Sequence, residues 1–219
     1  MPVVEEGPHP FPRLRWLALA WLAVYLPTYA LVYGFTNFLF LCNVGVILTA
    51  VGIWRGSPLL LSSQAVAAMV VCVAWWVDAG SRLLIGQHAL GVTAYMWDPQ
   101  YPLLTRLLSL YHVAWPFLLV ACLRRVGYDP RGYPLQGAVA AAAILVSRLA
   151  DPALNVNFAY AEPFFGRSLG PAPVHVAVTI LLLVGVVYGL THRLLAALLP
   201  RVPVDGQARA VRSAAQPTR

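Results

Sequence analysis

Two side chains in this sequence are of the types that carry covalent acyl chemistry: Cys42, in Phe40-Leu41-Cys42-Asn43, and His112, in Ser109-Leu110-Tyr111-His112. A thiol is a weak nucleophile until it is ionised, and an imidazole within reach accepts its proton, leaving a thiolate that attacks an ester carbonyl. Such a pair would serve a lipid-directed acyltransferase or hydrolase. The side-chain amides of Asn43 or Asn157 would supply donors for the oxyanion. Plainer readings stand beside these. Unreactive cysteine is among the most buried residue types, so Cys42 equally suits a packed core. An imidazole inside an uncharged run needs a hydrogen-bond partner whether or not it takes part in chemistry.

A second set of polar residues is expected at about the membrane depth of this pair or just above it: Asp78, Arg82, His88, Arg106, Arg148, Asn155 and Asn157. An unpaired charge at membrane depth costs about 2.5–3.5 kcal/mol on insertion scales, so Asp78, Arg106 and Arg148 are expected to pair or to face water. A polar cavity open to one side of the membrane follows, with Arg106 or Arg148 placed to hold a lipid phosphate. Asn155-Val156-Asn157 follows Asp151-Pro152 and reads either as a turn or as the mouth of that cavity. His88, His112, Asp98 and Glu162 lack an HxxxH-type spacing, and Cys42, Cys72 and Cys122 form no CxxC pair. No metal centre, disulfide framework or cofactor is expected from these patterns, and no Walker or Rossmann glycine motif is present.

The elements that must position these residues are apolar helices. Of the 219 residues, 60% are hydrophobic and 11% charged, against about a quarter charged in an ordinary soluble domain. The charge-free run from Trp16 to Trp54 is too long for one crossing of a hydrocarbon core about 30 Å thick, so it must turn, at Gly34-Phe35-Thr36-Asn37. The patterning predicts an all-α polytopic transmembrane bundle with about six spans, over 15–33, 38–54, 58–78, 103–123, 134–150 and 173–198. The stretch Leu83 to Gly91 is apolar but too short to span, and predicts a short re-entrant or interfacial helix near 80–95. Residues 1–12 and 199–219 read as flexible tails around one transmembrane domain, 13–198. A signal peptide is the rival reading of the N-terminus, but the apolar stretch is long and lacks an A-x-A site.

All 15 basic residues are arginine, and the net charge is +7. With the N-terminus inside, eleven arginines fall on cytoplasmic segments, whereas Arg82, Arg106, Arg148 and Arg167 fall outside. This positive-inside bias predicts a multi-pass protein of the cell membrane with both termini cytoplasmic, and it accounts for the charge without nucleic acid. Membrane lipids are the expected partners.

Four segments in order carry a resemblance: Phe40-Leu41-Cys42-Asn43, Gly86-Gln87-His88-Ala89-Leu90, Ser109-Leu110-Tyr111-His112, and Asn157-Phe158-Ala159-Tyr160-Ala161-Glu162-Pro163. Together they resemble the YwaF-type bacterial integral membrane proteins, which are similar in turn to a eukaryotic transmembrane acyltransferase. The resemblance implies transfer of an acyl chain through a cysteine thioester assisted by histidine, here Cys42 and His112. The sequence departs from the family pattern by inserting His88 between Gln87 and Ala89, and by placing Glu162 where a basic residue often precedes the proline. Three functions therefore compete: the Cys/His enzyme, a non-catalytic lipid or small-ligand binder or carrier, and a structural subunit of a membrane complex.

Overall fold

The structure is a computed structural model and describes residues 8–202. Most of both expected tails, 1–7 and 203–219, lies outside the described residues. All named elements are helical: α1 (Leu14–Tyr33), α2 (Leu41–Arg55), α3 (Pro58–Ile85), α4 (Leu103–Leu108), α5 (Tyr111–Val126), α6 (Gly132–Ser147), α7 (Ala172–Ile180) and α8 (Gly189–Leu198), with short 3-10 turns in the loops. A π-helical stretch, Leu181–Tyr188, joins α7 to α8.

Four helical rods are long and apolar enough to cross a membrane: Leu14–Tyr33, Pro58–Ile85, Leu103–Val126 and Ala172–Leu198. They fit an integral membrane protein. The two other expected spans are shorter helices of 15 and 16 residues, α2 and α6, which at 1.5 Å per residue reach about 22–24 Å, short of a full hydrocarbon core. The outward faces are greasy, with Leu181, Leu182, Val186, Leu190, Leu194 and Leu198 all exposed along the last rod.

Local chemistry explains the turns. Gly56 ends α2 in the left-handed conformation (φ 61°, ψ 30°), and the Ser57 hydroxyl then accepts from Leu60 N at 3.3 Å to cap α3, with Pro58 at its first position. These are the standard glycine stop and serine–proline start. Gly34 turns the long first run, as expected, with φ 76°, and a 3-10 turn over Phe35–Leu39 leads into α2. The short helix expected near 80–95 divides between the last turn of α3 and a 3-10 turn at Ala94–Met96.

The rod expected over 103–123 breaks between α4 and α5 at Ser109-Leu110. Within α5, Pro116 has no N–H to return to the His112 carbonyl. Trp76 Nε1 donates to that carbonyl instead, at 3.0 Å.

The core centres on α3, where Leu61 through Ala68 are buried without interruption, so neighbours cover its whole circumference. The bundle has two ends. One holds Tyr33, the α3–α4 loop and the α6–α7 loop; the other holds Arg55, Tyr128 and Pro200. At the Arg55 end the inner parts of both expected tails are packed: His9 Nε2 lies 2.9 Å from Trp54 O, Phe11 is buried, and Tyr128 N donates to Pro200 O at 2.6 Å.

Candidate functional site

Cys42 lies in the first turn of α2, half-buried, and its thiol faces the Asn43 carboxamide oxygen at 3.8 Å. Asn43 is the hub of the region. Its Oδ1 accepts from Tyr25 Oη at 2.5 Å and lies 3.5 Å from Tyr111 Oη, while its Nδ2 donates to Asn37 O at 2.6 Å. One amide thus joins α1, α2, α5 and the 3-10 turn. His112, at the start of α5, is buried and donates from Nδ1 to Ser109 O at 2.9 Å, which leaves its Nε2 as the acceptor. Its ring stacks between Trp75 (5.4 Å, 3°) and Tyr111 (4.0 Å, 25°). No hydrogen bond joins Cys42 to His112 among the described residues. They share a neighbour, Tyr111, rather than a proton.

Sequence reasoning passed over the tyrosines. Tyr25, Tyr29 and Tyr33 follow one another along one stripe of α1, and their rings stand 4.0 and 5.2 Å apart. Tyr29 Oη meets Ser109 Oγ at 2.5 Å, Trp75 Nε1 donates to Tyr95 Oη at 3.2 Å, and Tyr33 lies against Tyr101 at 5.1 Å. The signal was present: an i, i+4, i+8 spacing places three phenols on one helix face.

Most of the other candidate residues are occupied in holding the fold. Asp78 is fully buried, and its carboxylate is filled by donors from its own loop. Its Oδ1 accepts from Leu90 N (2.6 Å) and Gly91 N (2.9 Å), and its Oδ2 from Thr93 N (2.7 Å), Thr93 Oγ1 (2.6 Å) and His88 Nδ1 (3.2 Å). It therefore pins the loop after α3, and His88 serves as one of its donors. Arg82 turns its guanidinium onto the Gly86 carbonyl and so closes the end of its own helix.

Asn157 bridges remote segments. Its Oδ1 accepts from Leu41 N at 2.9 Å, satisfying a free donor at the start of α2, and its Nδ2 donates to Leu39 O (2.7 Å) and Ser147 Oγ (3.0 Å). Asn155 sits in the left-handed conformation (φ 40°) and accepts from Tyr160 N and Ala161 N, both at 3.0 Å. Arg148 donates to Ala159 O at 3.1 Å and lies 3.9 Å over the Tyr160 ring, a cation–π contact. In the same loop, partial desolvation pushes the Glu162 carboxyl up but is outweighed by the amides of Arg167, Phe164 and Phe165, which hold it below its ordinary range.

Arg106 is the exception. Its Nη1 donates to Met96 O at 3.2 Å, but its Nε is buried without a partner, and it forms no ion pair among the described residues. Tyr33 Oη and Thr105 Oγ1 are likewise buried and unpartnered, and Tyr33 lies within electrostatic reach of Arg106. An arginine nitrogen and a phenol without partners among the described residues thus lie within electrostatic reach of each other at the Tyr33 end, by the loop before α4. Such groups are costly unless something binds them. The described residues include no group of three or more metal-ligating side chains.

Compared with known proteins, the chain matches no family model, no curated protein and no solved structure.

Proposed function

We propose that this integral membrane protein binds, without covalent chemistry, an amphiphile with an anionic headgroup at its Tyr33 end, where Arg106 holds the charge. The observation that carries the proposal is the contrast among the candidates. Asp78, His88, Asn155 and Asn157 spend their polar atoms on the fold, whereas Arg106 keeps a buried Nε and has no counter-ion among the described residues. A guanidinium within electrostatic reach of an unpartnered phenol suits a phosphate or carboxylate. The tyrosine wall of α1 and the loop before α4 offers an amphipathic bed for the rest of the ligand. The arginine bias supports assigning the Arg55 end to the cytoplasmic face of the cell membrane, which turns this site outward.

The competing reading is acyl transfer through a Cys42 thioester, as the YwaF-type resemblance implies. It draws support from Tyr111, which stacks on His112 and shares the Asn43 oxygen with Cys42. Against it, the acceptor nitrogen His112 Nε2 has no hydrogen bond to the thiol.

One titration separates the two. Dodecyl phosphate is added to the purified full chain in detergent, and binding is followed by tryptophan fluorescence. Arg106→Gln is expected to weaken binding about 10- to 100-fold, the scale of one or two charge-assisted hydrogen bonds. Cys42→Ala should leave binding within about twofold, since a thiol facing an amide contributes little. Loss of binding in Cys42→Ala, together with Cys42-dependent labelling by an activated acyl probe, would favour the transferase instead.

A further inference from the structure

The opposite end of the last rod carries a groove that plays no part in the site above. Its floor is Gly185 and Gly189, its walls are Val186, Leu190 and the Tyr133 ring of α6, and it encloses about 430 Å³. The glycines make the groove. A Cβ at Gly185 would meet nothing within 4 Å, and one at Gly189 would come no closer than 3.7 Å, to Tyr133 Oη. The groove is held in shape rather than loosely open, because Tyr133 Oη donates to Val184 O at 3.2 Å within the π-helical stretch.

At its Arg55 end the groove meets a basic rim. His192 is fixed by a 2.7 Å hydrogen bond between its Nδ1 and Tyr128 Oη and by stacking on Tyr133 at 5.0 Å. Arg193 belongs to the lining, is exposed, and has no carboxylate partner among the described residues. Arg201 is also exposed and unpaired there, acts electrostatically on His192, and is held by the bridge of its backbone to Tyr128. From Gly189 to Arg193 the α-helix rises about 6 Å, so the apolar groove runs directly up to a cationic mouth.

We infer that this groove binds one anionic phospholipid, the acyl chain lying over Gly185 and Gly189 and the phosphate meeting Arg193 and Arg201. Charge complementarity decides the occupant. A second copy of the chain packed by two-fold symmetry on Gly185 and Gly189 would bring Arg193, one turn further along the same face, against its own copy, and like charges so placed oppose association. A water-soluble acidic peptide would not reach a groove flanked by the exposed Leu182, Val186, Leu190 and Leu194 of a membrane-spanning rod. An anionic lipid satisfies both halves, and basic pockets between transmembrane helices are the usual place for such headgroups.

The test is native mass spectrometry of the full chain released from detergent micelles containing equal amounts of phosphatidylglycerol and phosphatidylcholine. With the Tyr33 end silenced by Arg106→Gln, the chain should retain one phosphatidylglycerol at least about tenfold in preference to phosphatidylcholine. Arg193→Gln should cut that preference about fivefold, the effect of one basic residue near an anionic surface, and Arg193→Gln with Arg201→Gln should erase it. Gly185→Leu, which fills open space and leaves the packing of the fold untouched, should remove the bound lipid. Arg124→Gln should change nothing, and making every variant in the Arg106→Gln background separates this groove from the site at the Tyr33 end. Equal retention of the two lipids, or an unchanged adduct in Gly185→Leu, would overturn the inference. So would a dimer that Gly185→Leu dissolves, since the groove would then belong to a second copy.

Discussion

Replacing Asp78 by alanine should release the loop after α3 and destabilise the whole protein, for reasons that can be worked from its contacts. The carboxylate accepts from three backbone amides, one hydroxyl and one imidazole. Not all five donors would be stranded. Gly91 is exposed and Leu90 and His88 are partly so, and water can replace the carboxylate there, but Thr93 is fully buried. Its amide and hydroxyl would each lose an acceptor at about 1–3 kcal/mol, giving a total of about 2–6 kcal/mol. For a chain of this size that lowers the melting temperature by on the order of 4–24 °C. Asp78→Asn, which keeps one of the two acceptor oxygens, should fall about midway. Unfolding can be followed with a thiol-reactive dye, because Cys72 and Cys122 are buried in the folded protein. Hydrogen exchange adds local resolution: the Thr93 amide should be protected in the wild type and exchange freely in Asp78→Ala. A variant that melts within about 1 °C of the wild type with Thr93 still protected would refute the anchoring role. A loss of dodecyl phosphate binding in Asp78→Asn at unchanged melting temperature would instead return Asp78 to the binding site.

Two further outcomes follow from the loops. Asn157→Ala removes the acceptor of Leu41 N and the donor to Leu39 O and Ser147 Oγ, and should cost about 1–3 kcal/mol, visible in the same melting assay; an unchanged melt would show that α2 begins without that tie. Asp129 lies between α5 and α6, and its Arg131 partner, with Oδ2 to Nη2 at 2.7 Å, holds its carboxyl below the ordinary value of 3.8. Its contribution to stability is therefore complete above that ordinary value and is lost as pH falls through the lowered, folded one. Melting temperature measured from neutral to strongly acidic pH should fall less steeply in Arg131→Gln than in the wild type, and parallel curves would contradict the pairing.

Several features of the fold could be read from local chemistry. The Trp16 to Trp54 run had to turn because of its length, and Gly34 marked the place; Gly56-Ser57-Pro58 spelled a helix stop and start. Cys42 and His112 both fall in the first turn of their helices. Their relationship was not legible, because the orientation of an imidazole depends on which carbonyl takes its proton, and Ser109 sits in a helix break that Leu103 to Leu123 does not announce. The tyrosine stripe of α1 was legible and was passed over, since its residues carry no charge and stand out only when the helical spacing is counted.

The sequence by itself determined that apolar helices dominate, where two of the turns fall, and that the arginines crowd toward one side, because run length, glycine conformation and charge count are properties of neighbouring residues. Only the tertiary structure decided which polar residues are free. Asn157 caps a helix that begins 116 residues earlier, and Asp78 is satisfied by a loop that folds back over it, whereas Arg106 keeps a buried nitrogen without a partner. A polar side chain inside an apolar bundle takes its role from the donors and acceptors that distant segments bring to it, and that assignment is made by packing.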